Sequence, residues 1–288
     1  MTTPAGDPVG VIGLGLMGTA FAHRLIEAGY FPVIWNRSPE KAADLVARGA
    51  RWSNQPLAEC KRVILSLYSS ETVAEVIGRM GDDLRDGQVL IDTTTGEPDH
   101  VEKMGKELLH RGVHYLDAPI SGSSEQTRRG EAVVLVGGPK DVVDSCQDLW
   151  PVLGKTLHHC GPLGSASRMK LVTNLVLGLN RAALAEGLGF ARSIGVNPTA
   201  ALEVLRGSAA QSRVMDTKGG KMLQGDFSPQ ARLSQHRKDI EIIVRDGTAA
   251  GLEMPLSSLH LVLLREAEKQ GLGSLDNSAI ARLWGLGT

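Results

Sequence analysis

Val9 to Gly18 reads Val-Gly-Val-Ile-Gly-Leu-Gly-Leu-Met-Gly, an apolar strand running straight into Gly13, Gly15 and Gly18. Glycines at that spacing let the chain turn tightly, let an anion approach the backbone, and let the next helix pack closely on the strand with its first N–H groups facing that anion. The flanking residues strengthen the motif. A helical stretch from Met17 to Ala28 ends at Gly29, and a second strand, Pro32 to Trp35, delivers Asn36-Arg37-Ser38 where a dinucleotide-binding fold reads the adenosine ribose. An acidic residue there accepts hydrogen bonds from a 2′-hydroxyl; this chain has Asn36 and a guanidinium. Arg37 can pair in bidentate fashion with a 2′-phosphate, and Ser38 and Lys41 add a hydroxyl and a charge, so these residues predict NADP(H). The competing reading is a solvated arginine beside a loop.

Short apolar strands then alternate with helical patterns as far as Gly161, the mark of a parallel sheet with helices on its faces. Further strands are expected at Arg62 to Leu67, Val89 to Asp92, His114 to Asp117, Ala132 to Val136 and Thr156 to His159, with helices at Pro39 to Arg48, Ser70 to Met80, Pro98 to Arg111 and Lys140 to Leu153. After Gly164 only helical patterns remain: Ser165 to Ile194, Thr199 to Arg206, Arg213 to Leu223, Gln230 to Gly247, Pro255 to Gln270 and Asn277 to Leu283. The expected fold is an α/β Rossmann-type domain over residues 1–164 and an all-helical domain over residues 165–288, joined by a long interdomain helix.

Composition excludes several classes of function. With 31 Lys and Arg against 32 Asp and Glu among 288 residues, nothing favours nucleic acid or an anionic membrane surface, and the partner is expected to be a small molecule. Cys60, Cys146 and Cys160 form no close-set pair; three buried thiols in a reducing cytoplasm are the expectation. Met1 to Pro8 lacks the pattern of a leader, and no stretch is apolar enough to span a membrane. No histidine spacing favours a metal site: Gly112 breaks the helix between His110 and His114, and His158 and His159 point to opposite faces of a strand.

The first helix after Gly164 would span about 45 Å at 1.5 Å per residue. Apolar nearly all round, it is expected to be sandwiched between domains or between subunits. Lys170 and Asn174 interrupt that surface and, four residues apart, stack on one face. An ammonium within such a helix costs desolvation energy unless a charge or acceptors meet it, which favours a chemical role over a lysine that snorkels to water.

Four segments share one explanation: the glycine loop, Asp92-Thr93-Thr94-Thr95-Gly96-Glu97-Pro98, Asp117-Ala118-Pro119-Ile120-Ser121-Gly122-Ser123, and Gly161, Gly164, Lys170 and Asn174 in a Gly-x-x-Gly-x5-Lys-x3-Asn arrangement. Together with Lys238-Asp239 they resemble the β-hydroxyacid dehydrogenase family, which includes 3-hydroxyisobutyrate dehydrogenase, tartronate semialdehyde reductase and the glyoxylate/succinic semialdehyde reductases. Trp35 to Lys41, and Ser123, look most like the NADPH-using glyoxylate/succinic semialdehyde branch. The resemblance implies that Lys170 gives a proton to a carbonyl oxygen as hydride reaches the carbon, or in its neutral form takes the alcohol proton in oxidation. An ordinary lysine is protonated at neutral pH, so reduction needs no shift and oxidation favours alkaline conditions.

By the same resemblance Ser121, Gly122 and Ser123 hold the substrate carboxylate, and Asn174 bonds the substrate or orients the lysine. Gly13, Leu14, Gly15, Leu16, Met17, Gly18, Leu67 and Thr95 contact NADPH or NADP, and Lys238 reaches across a cleft toward it. Thr95 is otherwise a cap for the helix at Pro98. Arg232 and His236 depart from the favoured branch, either as ligands for a hydroxyl or second carboxylate of the substrate or as surface or interface residues. The implied activity is NADPH-dependent reduction of a small aldehyde or keto acid to a hydroxy acid. Its rivals are NADP-dependent oxidation of 3-hydroxyisobutyrate or a sugar acid, an imine reductase (which usually replaces the lysine), and an NADPH-binding module without turnover. A homodimer or homotetramer is expected.

Overall fold

The computed structural model describes residues 7–287. By packing, the chain divides into two compact units, one ending at Lys170 and the other beginning at Leu171. The long helix starts at Ser165, as expected, and the division falls within its first two turns.

In the first unit nine strands form one sheet: β1 (Val9–Ile12), β2 (Val33–Trp35), β3 (Arg51–Trp52), β4 (Arg62–Leu65), β5 (Val89–Asp92), β6 (His114–Asp117), β7 (Ile120–Ser121), β8 (Val133–Gly137) and β9 (Thr156–Gly161). Their order is β3-β2-β1-β4-β5-β6-β8-β7, with β9 beside β8. The strands from β3 to β6 in that order run parallel, β8 is antiparallel to β6 and β7, and β9 runs parallel to β8. The central strands are continuously apolar because both faces are covered. Val11, Ile34, Ile64, Ile91 and Leu116 belong to one core, and Ile12, Val33, Val63, Leu65, Leu90 and Tyr115 to the other. Because β1 lies between β2 and β4, the strand order reverses there, and the crevice at the carboxyl ends of β1 and β4 is where open α/β sheets bind ligands.

Helices α1 (Leu16–Glu27), α2 (Ser70–Met80), α3 (Pro98–Leu109) and α4 (Ser124–Arg128) cover this sheet. The strands β3 and β7 and the helical turn Pro56–Glu59 are too short to leave a periodic signal and were not expected from the sequence. The helix expected over Lys140 to Leu153 is two pieces, Lys140–Asp144 and Trp150–Leu153, since Pro151 has no N–H to donate and sits only in a first turn. Cys60 and Cys146 are buried, whereas Cys160 is half-buried.

The second unit is helical: the remainder of α5 (Ser165–Ser193), then α6 (Pro198–Arg206), α7 (Leu233–Ala249) and α8 (Pro255–Lys269). Asn197 caps α6 by accepting from the N–H groups of Thr199 and Ala200, at 2.8 and 3.2 Å. The helix expected at Arg213 to Leu223 contains a π turn, Met215–Gly219, followed by Gly220–Gln224. The last segment, Asn277–Trp284, is a 3₁₀ helix. Helix α7 starts three residues later than expected because the Ser234 N–H, which would bond the Gln230 carbonyl, donates to the Gly273 carbonyl, and the Ala231 carbonyl accepts from the Asn277 N–H. Among the described residues no helix is long and apolar enough to cross a membrane.

Asp117 fastens α5 to the sheet. At the end of β6, its Oδ1 accepts from the Gly164 N–H (3.1 Å) and its Oδ2 from the Ser167 N–H (2.8 Å), satisfying two donors that a helix start leaves open. Gly137, its neighbour on β8, makes room: a Cβ there would lie 2.3 Å from Asp117 Oδ1. Burial pushes the Asp117 carboxyl up to about 6, against the opposing pull of the two N–H donors. Since that value lies above the unfolded one, the native state holds the extra proton between about pH 4 and pH 6, and this group's contribution to stability falls as pH rises through that window. Thermal unfolding of wild type and Asp117→Asn between pH 6.5 and 4.5 should show the wild type gaining on the variant as pH is lowered; a constant difference would contradict the shift.

Candidate active site

Each glycine of the loop after β1 has a distinct steric reason. A Cβ on Gly13, whose φ is +100°, would lie 2.3 Å from the Ser66 carbonyl oxygen, and one on Gly18 would lie 1.8 Å from the Gly13 carbonyl oxygen. Gly15 is different, with nothing within 4 Å of its Cβ position. It precedes α1, and no side chain caps that helix. An open backbone beside uncapped helical N–H groups is the environment a pyrophosphate needs, so these residues fit a dinucleotide.

Asn36 holds this loop in shape. Its Oδ1 accepts from the Leu14 N–H (2.9 Å) and its Nδ2 donates to the Ser38 carbonyl (3.0 Å), so its amide braces the two strand ends. Beside it Arg37 and Lys41 are exposed and Ser38 half-buried, and among the described residues no carboxylate pairs with Arg37. Leu16 is exposed, while Met17 is half-buried against the sheet core. Leu67 packs against the Gly13 position, and its N–H donates to Thr94 Oγ1 (3.1 Å), tying the loops after β4 and β5. Thr95 follows, half-buried. Glu97, not Thr95, occupies the cap position of α3, and no side chain caps that helix, so the capping alternative for Thr95 is corrected. Beneath the loop, Asp92 accepts from the Tyr115 hydroxyl (2.6 Å) and the Thr94 N–H (2.9 Å); burial and this carboxylate push the Tyr115 hydroxyl well above its usual range.

Ser121 ends β7, and Ser123 opens α4 with a capping box: its hydroxyl accepts from the Gln126 N–H (3.2 Å) and its own N–H donates to Gln126 Oε1 (2.9 Å). The segment is therefore a built turn, and the Ser123 backbone N–H is already engaged. Gly122 between them lets Ala132 approach, to 3.1 Å of where its Cβ would be.

Lys170 is buried on α5, one turn before buried Asn174. In the helical unit Asn174 Nδ2 donates to Asp239 Oδ2 (2.9 Å), and Lys238 Nζ lies 3.7 Å from Asp239 Oδ1. Asp239 entered the sequence analysis only as part of the Lys238-Asp239 pair, with no role of its own. Its signal was available, a carboxylate on a helix face shared with His236, Ile240 and Ile243, but its partner is 65 residues away. Arg232 is exposed at the start of α7, whereas His236 is buried against His260 and Gly178, which removes His236 from the surface. Glu71 in the first turn of α2 and Glu97 and His100 at the start of α3 bring their ligand-type atoms within 4.8 Å of one another, a grouping that joins a local pair to a residue from another helix.

A family profile described as the NAD binding domain of 6-phosphogluconate dehydrogenase matches residues 8–161, and one described as the NAD-binding part of NADP-dependent 3-hydroxyisobutyrate dehydrogenase matches residues 164–284. The chain belongs to the β-hydroxyacid dehydrogenase family. This β-hydroxyacid dehydrogenase relative has a nicotinamide-dinucleotide-binding first unit. The cytokine-like nuclear factor N-PAC of Homo sapiens is 28% identical over 288 residues, covering 98% of this chain and 52% of its own length. The chain thus spans about half the length of the N-PAC relatives it matches. The 2-(hydroxymethyl)glutarate dehydrogenase of Eubacterium barkeri is 28% identical over 283 residues, covering 96% of this chain and 94% of its own. A crystal structure of 3-hydroxyisobutyrate dehydrogenase from Salmonella typhimurium shares the fold, with a TM-score of 0.89 at 22% identity over 96% of this chain and 100% of that one.

Truncating Asp239 to Ala leaves the buried Asn174 amide without its acceptor, at a cost of about 1–3 kcal/mol. Thermal unfolding should record a loss of several degrees for Asp239→Ala and a smaller one for Asp239→Asn, which keeps an acceptor; equal stability of all three proteins would show that the bond contributes nothing.

Proposed function

We propose that this chain is an NADPH-dependent reductase of small aldehyde or keto acids, with glyoxylate, succinic semialdehyde and tartronate semialdehyde as the leading substrates. One observation carries the reading: Lys170 is buried one turn before Asn174, on a helix whose start is bonded to the carboxyl end of β6, the edge of the sheet that also bears the glycine loop. The nicotinamide, when bound, supplies the hydride. Lys170 holds the proton that the carbonyl oxygen takes up, Asn174 orients the reacting group while its own amide is fixed by Asp239, and Ser121, Gly122 and the Ser123 hydroxyl bind the carboxylate. Thr95, Leu67 and Lys238 belong to the cofactor-binding set. Exposed Arg37, with Ser38 and Lys41, supports a 2′-phosphate partner. The description of the matching profile, an NADP-dependent 3-hydroxyisobutyrate dehydrogenase, favours a second reading in which the same residues run an oxidation.

Exposed Val172, Val176 and Phe190 on α5 and Leu256, Leu259 and Val262 on α8 support a homodimer or homotetramer. The three free cysteines suit a reducing cytoplasm.

Consumption of NADPH, followed by nicotinamide absorbance across the three aldehyde acids with NADH as control, tests the reading; binding without consumption would instead mark a non-catalytic module. Lys170→Ala should lower kcat by about 10²–10⁴-fold with NADPH affinity retained, and turnover near wild type would remove Lys170 from the chemistry. Arg37→Asp should weaken NADPH use by about 10- to 100-fold while leaving NADH use little changed. Equal losses with both cofactors would refute the phosphate contact.

A further inference from the structure

Two turns beyond Asn174, α5 carries a second buried polar side chain that the proposed reaction does not use. Arg181 is 3% exposed, and its Nε and Nη1 have no hydrogen-bond partner among the described residues. One turn before it, Gly178 has no space for a Cβ, which would lie 2.4 Å from His236 Nε2 and 2.8 Å from His260 Cε1. Two imidazoles, one from α7 and one from α8, are therefore pressed onto the α5 backbone, their ring centroids 5.3 Å apart. His260 is 2% exposed, and neither of its ring nitrogens finds a partner.

Charge balance says what is missing. The carboxylate whose charge acts on Arg181 is that of Asp276, but both its oxygens are already taken. They accept from Lys218 Nζ at 2.8 and 2.9 Å, from the N–H groups of Gln230, Ala231 and Ser278, and from the Ser278 hydroxyl. Lys218 and Asp276 cancel as a buried pair. Burial and the nearby Arg181 charge push His260 down to about 4, so it is neutral at physiological pH, and burial brings Arg181 only to about 10, so it stays charged. What remains is one buried positive charge with donors and no bonded anion. Such a charge is costly in a low-dielectric interior, and a water molecule would fill the hydrogen bonds without neutralising it.

We propose that Arg181 and His260 form a binding site for a single small monovalent anion of chloride size within the helical unit. The donors are the guanidinium Nε–H and Nη1–H and an imidazole N–H. Both side chains are buried, so the occupant is small, and it stabilises the folded helical unit by neutralising Arg181.

The test is thermal unfolding of the full chain at constant ionic strength, with sodium chloride replaced stepwise by sodium methanesulfonate. The wild type should gain about 3 °C, with saturation, as chloride rises, and Arg181→Met, which removes the charge, should show no chloride dependence. Crystals of the wild type grown in bromide should show an anomalous peak in contact with the Arg181 guanidinium and the His260 ring, a measurement that stands even if the variant fails to fold. A chloride-independent wild type, an equal response in Arg181→Met, or ordinary water at that position in the bromide crystals would each overturn the proposal.

Discussion

The bonds from the Gly164 and Ser167 N–H groups to the Asp117 carboxylate are the constraint on which the placement of Lys170 depends. Lys170 lies within the first two turns of α5 and in the same compact unit as Asp117, so fixing the first turn fixes where its backbone stands. The acceptor is itself the last residue of a central strand, held in the ladder beside β5. Three glycines adapt to it. Gly161 and Gly164 adopt φ values of +125° and +86° to turn the chain from β9 into α5, and Gly137 yields the volume that the carboxylate fills. Asp117 therefore decides where the helix begins.

Much of this was legible in the residues. The first unit announces itself because its strands are apolar runs bounded by glycines, and because the steric demands on Gly13, Gly15 and Gly18 are set within a few residues of chain. The start of α5 was also legible, since two glycines followed by a long apolar stretch leave few alternatives. The losses occurred where a residue's meaning depends on a distant partner. Asn36 stands where a ribose would be read, yet its amide is committed to Leu14 and Ser38, and only the folded loop reveals that. Thr95 looked like a cap because its spacing from Pro98 allows one; the backbone at Glu97 occupies that position. Ser123 could be placed in a loop, but not its reciprocal bonds with Gln126, which spend the N–H that a carboxylate would otherwise use.

The long helix shows the same division between pattern and meaning. Its inward positions Lys170, Asn174, Gly178 and Arg181 follow one another at spacings of four, four and three, so they share a face, and that stripe is visible in the bare sequence. What each residue does is settled by its partners. Asn174 is answered by Asp239 on α7, Gly178 by the rings of His236 and His260, and Arg181 by no bonded anion at all.

A buried polar stripe of this kind exacts a desolvation cost that an apolar seam would avoid, and it specifies one alignment in return. Sliding α7 along α5 by a turn would strand the Asn174 amide and drive an imidazole into a position that lacks the glycine. The bond from Asn174 to Asp239 and the close approach at Gly178 therefore lock the same register from two points, the one polar and the other steric. Asn174 lies one turn after Lys170 on the same helix, and the register that packs the helical unit is also the register that fixes its amide.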